Sequence, residues 1–147
     1  MVFSNDVLRQ IIVSHYSAPA FKKAIDDPTF LKIHLSSQNC IDDFNLYLKV
    51  DNNVIKEAYF SGVGCAISTA SIDIMCQMIT GQSYEYAKKL IDEFHKMMRE
   101  ESFDQAFLEE AIAFINTSKQ PSRIKCATIG WDGLSVLINK DQSDKKE

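Results

Sequence analysis

Three cysteines and one aspartate carry the chemistry this chain could do. Cys40 and Asp42 lie in Asn-Cys-Ile-Asp-Asp, Cys65 in Gly-Val-Gly-Cys-Ala-Ile-Ser, and Cys126 in Arg-Ile-Lys-Cys-Ala-Thr. Three sulfurs and a carboxylate make a full tetrahedral ligand set for zinc. The single hard oxygen ligand makes this set less inert than four thiolates and leaves a sulfur that can be released, which points to sulfur handling.

Each thiol has a local reason to be reactive. Cys65 follows Gly62-Val63-Gly64 and opens a helix, where unpaired backbone N–H groups and the helix dipole favour a thiolate. Cys126 stands beside Lys125 and near Arg123, and Cys40 sits in a loop two residues from a carboxylate. The separations of 25 and 61 positions between successive cysteines are not those of a local zinc finger. Doubling a loop costs only ~0.6 kcal/mol of closure entropy, whereas a structural zinc site contributes ~10–16 kcal/mol. Long spacing therefore means that the fold must bring the ligands together. The fourth cysteine, Cys76, shares an apolar helical face with Ile72 and Ile79 and reads as core packing. His15, His34 and His95 are scattered, and His95 reads as a surface residue.

The elements that must position these groups can be read from periodicity. Residues 4–16 follow a helical pattern, with Ser4 or Asn5 as cap and Pro19 as stop. Three strands are expected over 30–36, 44–50 and 54–60, the last two joined through Asp51-Asn52-Asn53 as a tight hairpin, with Cys40 and Asp42 just before the second. After Gly64 the period changes to that of a buried helix ending at Gly81. Further helices are expected from Ser83 to about Met98, over 103–115, and from Pro121 to about Asn139. Residues 1–139 then form one domain, and the polar residues 140–147 read as a disordered tail.

The chain has 147 residues, of which 46% are hydrophobic, enough for one substantial core. It shows no leader-like start and no run of 18 apolar residues, so a cytoplasmic protein with no membrane association is expected, its cysteines reduced rather than paired. The net charge of -4, with dispersed Lys and Arg, argues against nucleic acid as a partner.

Two segments, Gly62-Val63-Gly64-Cys65-Ala66-Ile67-Ser68-Thr69-Ala70-Ser71 and Arg123-Ile124-Lys125-Cys126-Ala127-Thr128, resemble the signatures of the zinc-binding SufU branch of the NifU/IscU family, and His15-Tyr16 with Pro19 resembles its His-Tyr-x-x-Pro element. The resemblance runs from residue 7 to about 138. It implies an α+β, IscU-like fold: a three-stranded antiparallel sheet with helices packed on it. It also implies a zinc site of Cys40, Asp42, Cys65 and Cys126, and partnership with a SufS-like, pyridoxal-phosphate-dependent cysteine desulfurase that passes sulfane sulfur onward to iron-sulfur assembly proteins. Cys40 matches the family's persulfide-accepting cysteine, released by that analogy when a desulfurase histidine takes its place on zinc.

Lys125 precedes the last cysteine where the IscU branch has histidine, and Ser118-Lys119-Gln120-Pro121-Ser122 stands where that branch has its chaperone motif. Both features favour sulfur transfer over cluster building. The family's Cys-Gly-Asp is here Cys40-Ile41-Asp42, and the usual proline before it is absent; Ile41 resists loop shapes that glycine permits. The expected function is that of a zinc-dependent sulfurtransferase, with a non-enzymatic iron-sulfur cluster scaffold as the alternative and a purely structural zinc module as a third reading. Four protein ligands leave no open position for water, which disfavours a hydrolytic zinc enzyme.

Overall fold

Alternating apolar residues form the sheet as expected, and the polar Asn52-Asn53 pair turns it. The computed structural model describes residues 3–37 and 41–145. Strands β1 (Leu31–Ser36), β2 (Asp43–Asp51) and β3 (Val54–Val63) are antiparallel in the order β1-β2-β3. Asn52 and Asn53 have φ of 52° and 61°, the left-handed pair of a two-residue hairpin. Strand β3 runs three residues beyond the expected end because Ser61, Gly62 and Val63 still pair with Asn45, Phe44 and Asp43. That extension carries the chain to the foot of the next helix.

Helix α1 (Asn5–Ser17) is capped by Ser4, whose hydroxyl accepts from the Val7 N–H at 3.2 Å. Helix α2 (Ala66–Ile79) is buried on nearly all sides, so it is the centre of the molecule rather than a cover on the sheet. Chain reversal at Gly81, with φ of 83°, leads to Ser83, which caps α3 (Tyr84–Met98). The core joins Phe44, Leu46, Leu48 and Phe60 of the sheet to Ile72, Met75 and Ile79 of α2 and to Trp131 and Leu134 of the last helix. Phe94 of α3 stacks on Trp131 with ring centroids 4.4 Å apart. Among the described residues, no helix is long and apolar enough to cross a membrane.

Two expectations are corrected. The helix expected over 103–115 is instead the short α4 (Gln105–Leu108) followed by a 3₁₀ helix (Glu109–Lys119). Glu109 has φ of 47°, which breaks the α ladder. Beyond it, Ala111, Ile112, Ala113, Phe114, Thr117 and Ser118 are buried, with Ala111, Phe114 and Thr117 in one row at the three-residue repeat of a 3₁₀ helix. The final helix, α5 (Pro121–Lys145), runs well past Asn139, so the expected tail from residue 140 is helical as far as it is described. Polar composition misled here because the end of α5 is held by polar contacts to other elements. The Tyr84 hydroxyl donates to Asp141 Oδ2 at 2.6 Å, Lys88 Nζ donates to Gln142, and Lys145 Nζ reaches Asp141 at 2.9 Å and Asn53 Oδ1 at 3.3 Å. Glycine in the middle of α5 has a packing reason, since a Cβ at Gly133 would lie 2.1 Å from Leu35 Cδ2 of β1.

Burial, and then the bond to Asp141, push the Tyr84 phenol well above its ordinary value of 10.0. The folded state holds that proton more tightly than the unfolded chain. The associated stability is therefore fully present below pH 10 and is lost as the pH climbs beyond it. Tyr84→Phe should cost about 1 kcal/mol at neutral pH, speed amide exchange over 140–145, and flatten the alkaline loss of stability; chemical denaturation at pH 7 and above pH 10 would show it.

Candidate metal centre

Three segments converge where β3 hands over to α2. Asp42 immediately precedes β2, and its carboxylate turns inward at 2% exposure. Cys65 is the N-cap of α2, with extended φ and ψ of -71° and 170°, and its Sγ accepts from the Ser68 N–H at 3.4 Å, the part usually taken by a Ser or Asp oxygen. Cys126, on the second turn of α5, is buried. One ligand atom from each of Asp42, Cys65 and Cys126 lies within 4.8 Å of the other two. Among the described residues, this is the one group of three or more His, Cys, Asp or Glu side chains so arranged.

The two carboxylate oxygens of Asp42 differ in their partners. Oδ1 accepts from the Cys65 backbone N–H at 3.0 Å and from the Ser68 hydroxyl at 2.8 Å. Oδ2 is buried with no hydrogen-bond partner among the described residues. A buried carboxylate oxygen left over beside two sulfurs is a poor arrangement for stability and a good one for a cation. The donor set also fits: two soft sulfurs and one carboxylate oxygen suit zinc, and suit iron in a cluster. Gly64 makes the close approach possible, because a Cβ there would stand 2.4 Å from the Phe44 ring and 2.6 Å from Asp42 Oδ1.

Cys40 lies outside the described residues. Its chain neighbour Ile41 is 75% exposed, as is 63% of Val63 across the site, so apolar side chains border the ligands. Cys76 is fully buried, and burial first, with Asp73 second, pushes its thiol well above the ordinary range, in keeping with a core role. Lys125 and Arg123 are exposed. Lys125 also lines a cleft of about 810 Å³ between β1 and α5.

Sequence reasoning missed the work of His15 and Ser68. His15 Nδ1 is 2.6 Å from Asp73 Oδ2, and Nε2 is 3.4 Å from Glu110 Oε2, while Asp73 Oδ1 accepts from the Phe21 N–H at 2.9 Å. His15 thus ties α1 to a fully buried carboxylate on α2. Asp73 is 58 positions away, so only the isolated charge in an otherwise apolar helix pattern signalled it. Ser68 could have been suspected from its place three residues after a helix-opening cysteine.

The NifU-like N terminal domain family matches residues 8–140. The chain belongs to that family. It is 34% identical over 131 residues to the iron-sulfur cluster assembly scaffold protein IscU of Thermotoga maritima, covering 89% of this chain and 92% of that protein. It is also 34% identical over 135 residues to the zinc-dependent sulfurtransferase SufU of Bacillus subtilis, covering 91% and 90%. The crystal structure of FiSufU from Fervidobacterium islandicum AW-1 superposes with a TM-score of 0.82 at 26% identity, over 92% of this chain and 99% of that one. The α+β fold read from the sequence is therefore the family's fold.

Gly64→Ala should drive a methyl group into both Phe44 and Asp42. The expected cost is about 1–3 kcal/mol from overpacking, together with loss of metal binding; thermal unfolding and metal analysis of the purified variant would measure both.

Proposed function

We propose that this protein takes part in iron-sulfur cluster assembly as a zinc-dependent sulfur acceptor, served by a cysteine desulfurase and passing sulfur to downstream assembly proteins. The observation that carries the reading is the convergence of Cys65, Cys126 and the Asp42 carboxylate, whose Oδ2 is buried without a partner among the described residues, within one small site. The name of the Bacillus subtilis relative supports zinc and sulfur transfer, as does Lys125 in place of a histidine before Cys126.

In this reading Asp42, Cys65 and Cys126 hold zinc, with Cys40 as the fourth ligand. Bound zinc would keep the thiols as protected thiolates and close the coordination shell with protein atoms. Cys65 and Cys126 are built into packed helices and serve as fixed holders. Cys40, two residues before Asp42, is the nucleophile. Its thiolate attacks the outer sulfur of the desulfurase's cysteine persulfide. A sulfur–sulfur bond forms to Cys40 as the partner's breaks, and the partner's cysteine departs as a thiolate. One sulfur atom is transferred with no external oxidant or reductant.

In this reading the desulfurase docks around Cys40 on the surface near His15, Tyr16 and the ends of the metal-bearing helices. His15 is committed to Asp73, so that surface rests on Tyr16, which is 48% exposed, with Ile41 and Val63 as the apolar border of the site. Tyr16→Ala should weaken stimulation of the desulfurase several-fold without removing zinc. Equal stimulation by both proteins at limiting concentration would overturn that surface.

The scaffold reading is favoured by the names of the Thermotoga maritima relative and of another from Streptococcus pyogenes, which is 32% identical. Protein purified without added iron separates the two: one colourless zinc per chain is expected, and a brown, cluster-bearing protein would favour the scaffold. Chelation, Cys65→Ala and Cys126→Ala should each lower the melting temperature, since metal binding is coupled to folding. After incubation with desulfurase and cysteine, peptide mass analysis should find the added sulfur on Cys40, and Cys40→Ser should abolish stimulation while the domain stays folded. Sulfur mainly on Cys65, Cys76 or Cys126 would sink the mechanism.

A further inference from the structure

We propose that Ser68 is the positioning residue that makes Asp42 a one-oxygen ligand. The inference rests on the metal-site reading above and adds a residue that the ligand set does not contain. Ser68 is fully buried on the first turn of α2. Its hydroxyl is 2.8 Å from Asp42 Oδ1, 3.1 Å from the Cys65 carbonyl oxygen and 3.4 Å from Cys65 Sγ. A hydroxyl has one proton to give, and the carboxylate oxygen is the nearest acceptor and one whose charge strengthens the bond.

Three constraints then act on one carboxylate. The Cys65 N–H and the Ser68 hydroxyl occupy Oδ1, while the Gly64 backbone closes off the space behind it. Oδ2 alone is left to bind, and it is the oxygen without a partner. A carboxylate held this way offers a single, directed lone pair, which suits a four-coordinate metal; a freed carboxylate can offer both oxygens and raise the coordination number. Residues that orient a ligand in this manner typically change metal affinity by about 10- to 100-fold when removed. Ser68 also donates its backbone N–H to Cys65 Sγ, so one residue orients an oxygen ligand through its side chain and a sulfur ligand through its main chain. Side-chain substitution tests the first role and leaves the second in place.

The test uses the full chain, stripped of metal and reloaded with zinc or cobalt(II). Ser68→Ala should bind zinc about 10- to 100-fold more weakly in competition with a chromophoric chelator. Its cobalt(II) form should lose visible ligand-field intensity as four-coordination gives way to five. The equal-volume pair Ser68→Thr and Ser68→Val should divide, with Thr keeping the parent's spectrum and affinity and Val losing both. On the parent alone, the zinc-minus-apo infrared difference spectrum should show the widely split carboxylate bands of one-oxygen binding, a readout that survives even if the Ala variant does not fold. Parent-like affinity and cobalt spectrum in Ser68→Ala, with only a lowered melting temperature in both apo and loaded forms, would overturn the positioning role and leave the metal site standing. Narrowly split bands in the parent would do the same. If the parent binds neither metal, the site reading itself fails, and this inference fails with it.

Discussion

The geometry of the site depends on how α5 is seated against α2, and one buried hydroxyl fixes that seating with two directed bonds. Ser71 Oγ donates to the Ala127 carbonyl oxygen at 2.6 Å and accepts from Trp131 Nε1 at 3.0 Å. Both partners lie on α5, one turn apart, and all the side-chain atoms are in the core. An apolar contact would tolerate sliding or rotation of one helix on another. Two directed bonds through a single oxygen do not, because losing either leaves a buried polar group unsatisfied at about 1–3 kcal/mol. Cys126 is the residue before Ala127, and Cys65 opens the helix that carries Ser71, so these bonds join the two elements that carry the sulfurs.

What this rigidity holds together favours a cation once its thiols are thiolates. Two unit negative charges at that 4.8 Å limit would repel by about 3 kcal/mol at an effective dielectric of about 20, and the site gathers two thiols that a metal would hold as thiolates beside one carboxylate. The N-terminus of α2 offsets part of this through its dipole and through the Cys65 and Ser68 N–H groups. The remainder is a built-in preference for a positive ion. The core is therefore not merely a scaffold beneath the site: burial of α2 on nearly all sides keeps the three groups from moving apart.

Much of this was legible in the sequence, because the signals were local. Alternation gave the strands, Asn52-Asn53 the hairpin, Ser4 and Ser83 the caps, and Gly64-Cys65 the start of the central helix. Asp42, Cys65 and Cys126 were identified as partners from their residue types and family signatures, and the fold does bring them together. Long-range contacts hid the rest. The polar end of α5 reads as a tail until Tyr84, Lys88 and Asn53 are placed beside it. The break before the 3₁₀ helix comes from a left-handed backbone at Glu109, a residue type with no preference for that conformation. His15 looks like a surface motif residue because its carboxylate partner lies in a helix whose charge pattern gave no direction.

The departure from the family at Ile41 acquires a physical meaning from its surroundings. A β-branched side chain in place of glycine could have disturbed the site by filling it, yet Ile41 is 75% exposed and leaves the buried Asp42 carboxylate in contact with Cys65 and Ser68. Its effect is therefore on the backbone and the surface. It narrows the conformations open to the chain between Cys40 and Asp42 and adds an apolar group at the border of the site, where Val63 already stands exposed. Under the proposed sulfur-acceptor reading, restricting the loop would work against exchange of Cys40 on the metal, while an exposed apolar group favours burial under a partner. A partner that covers Ile41 would then offset the cost of moving the loop, so that in that reading the two effects act together.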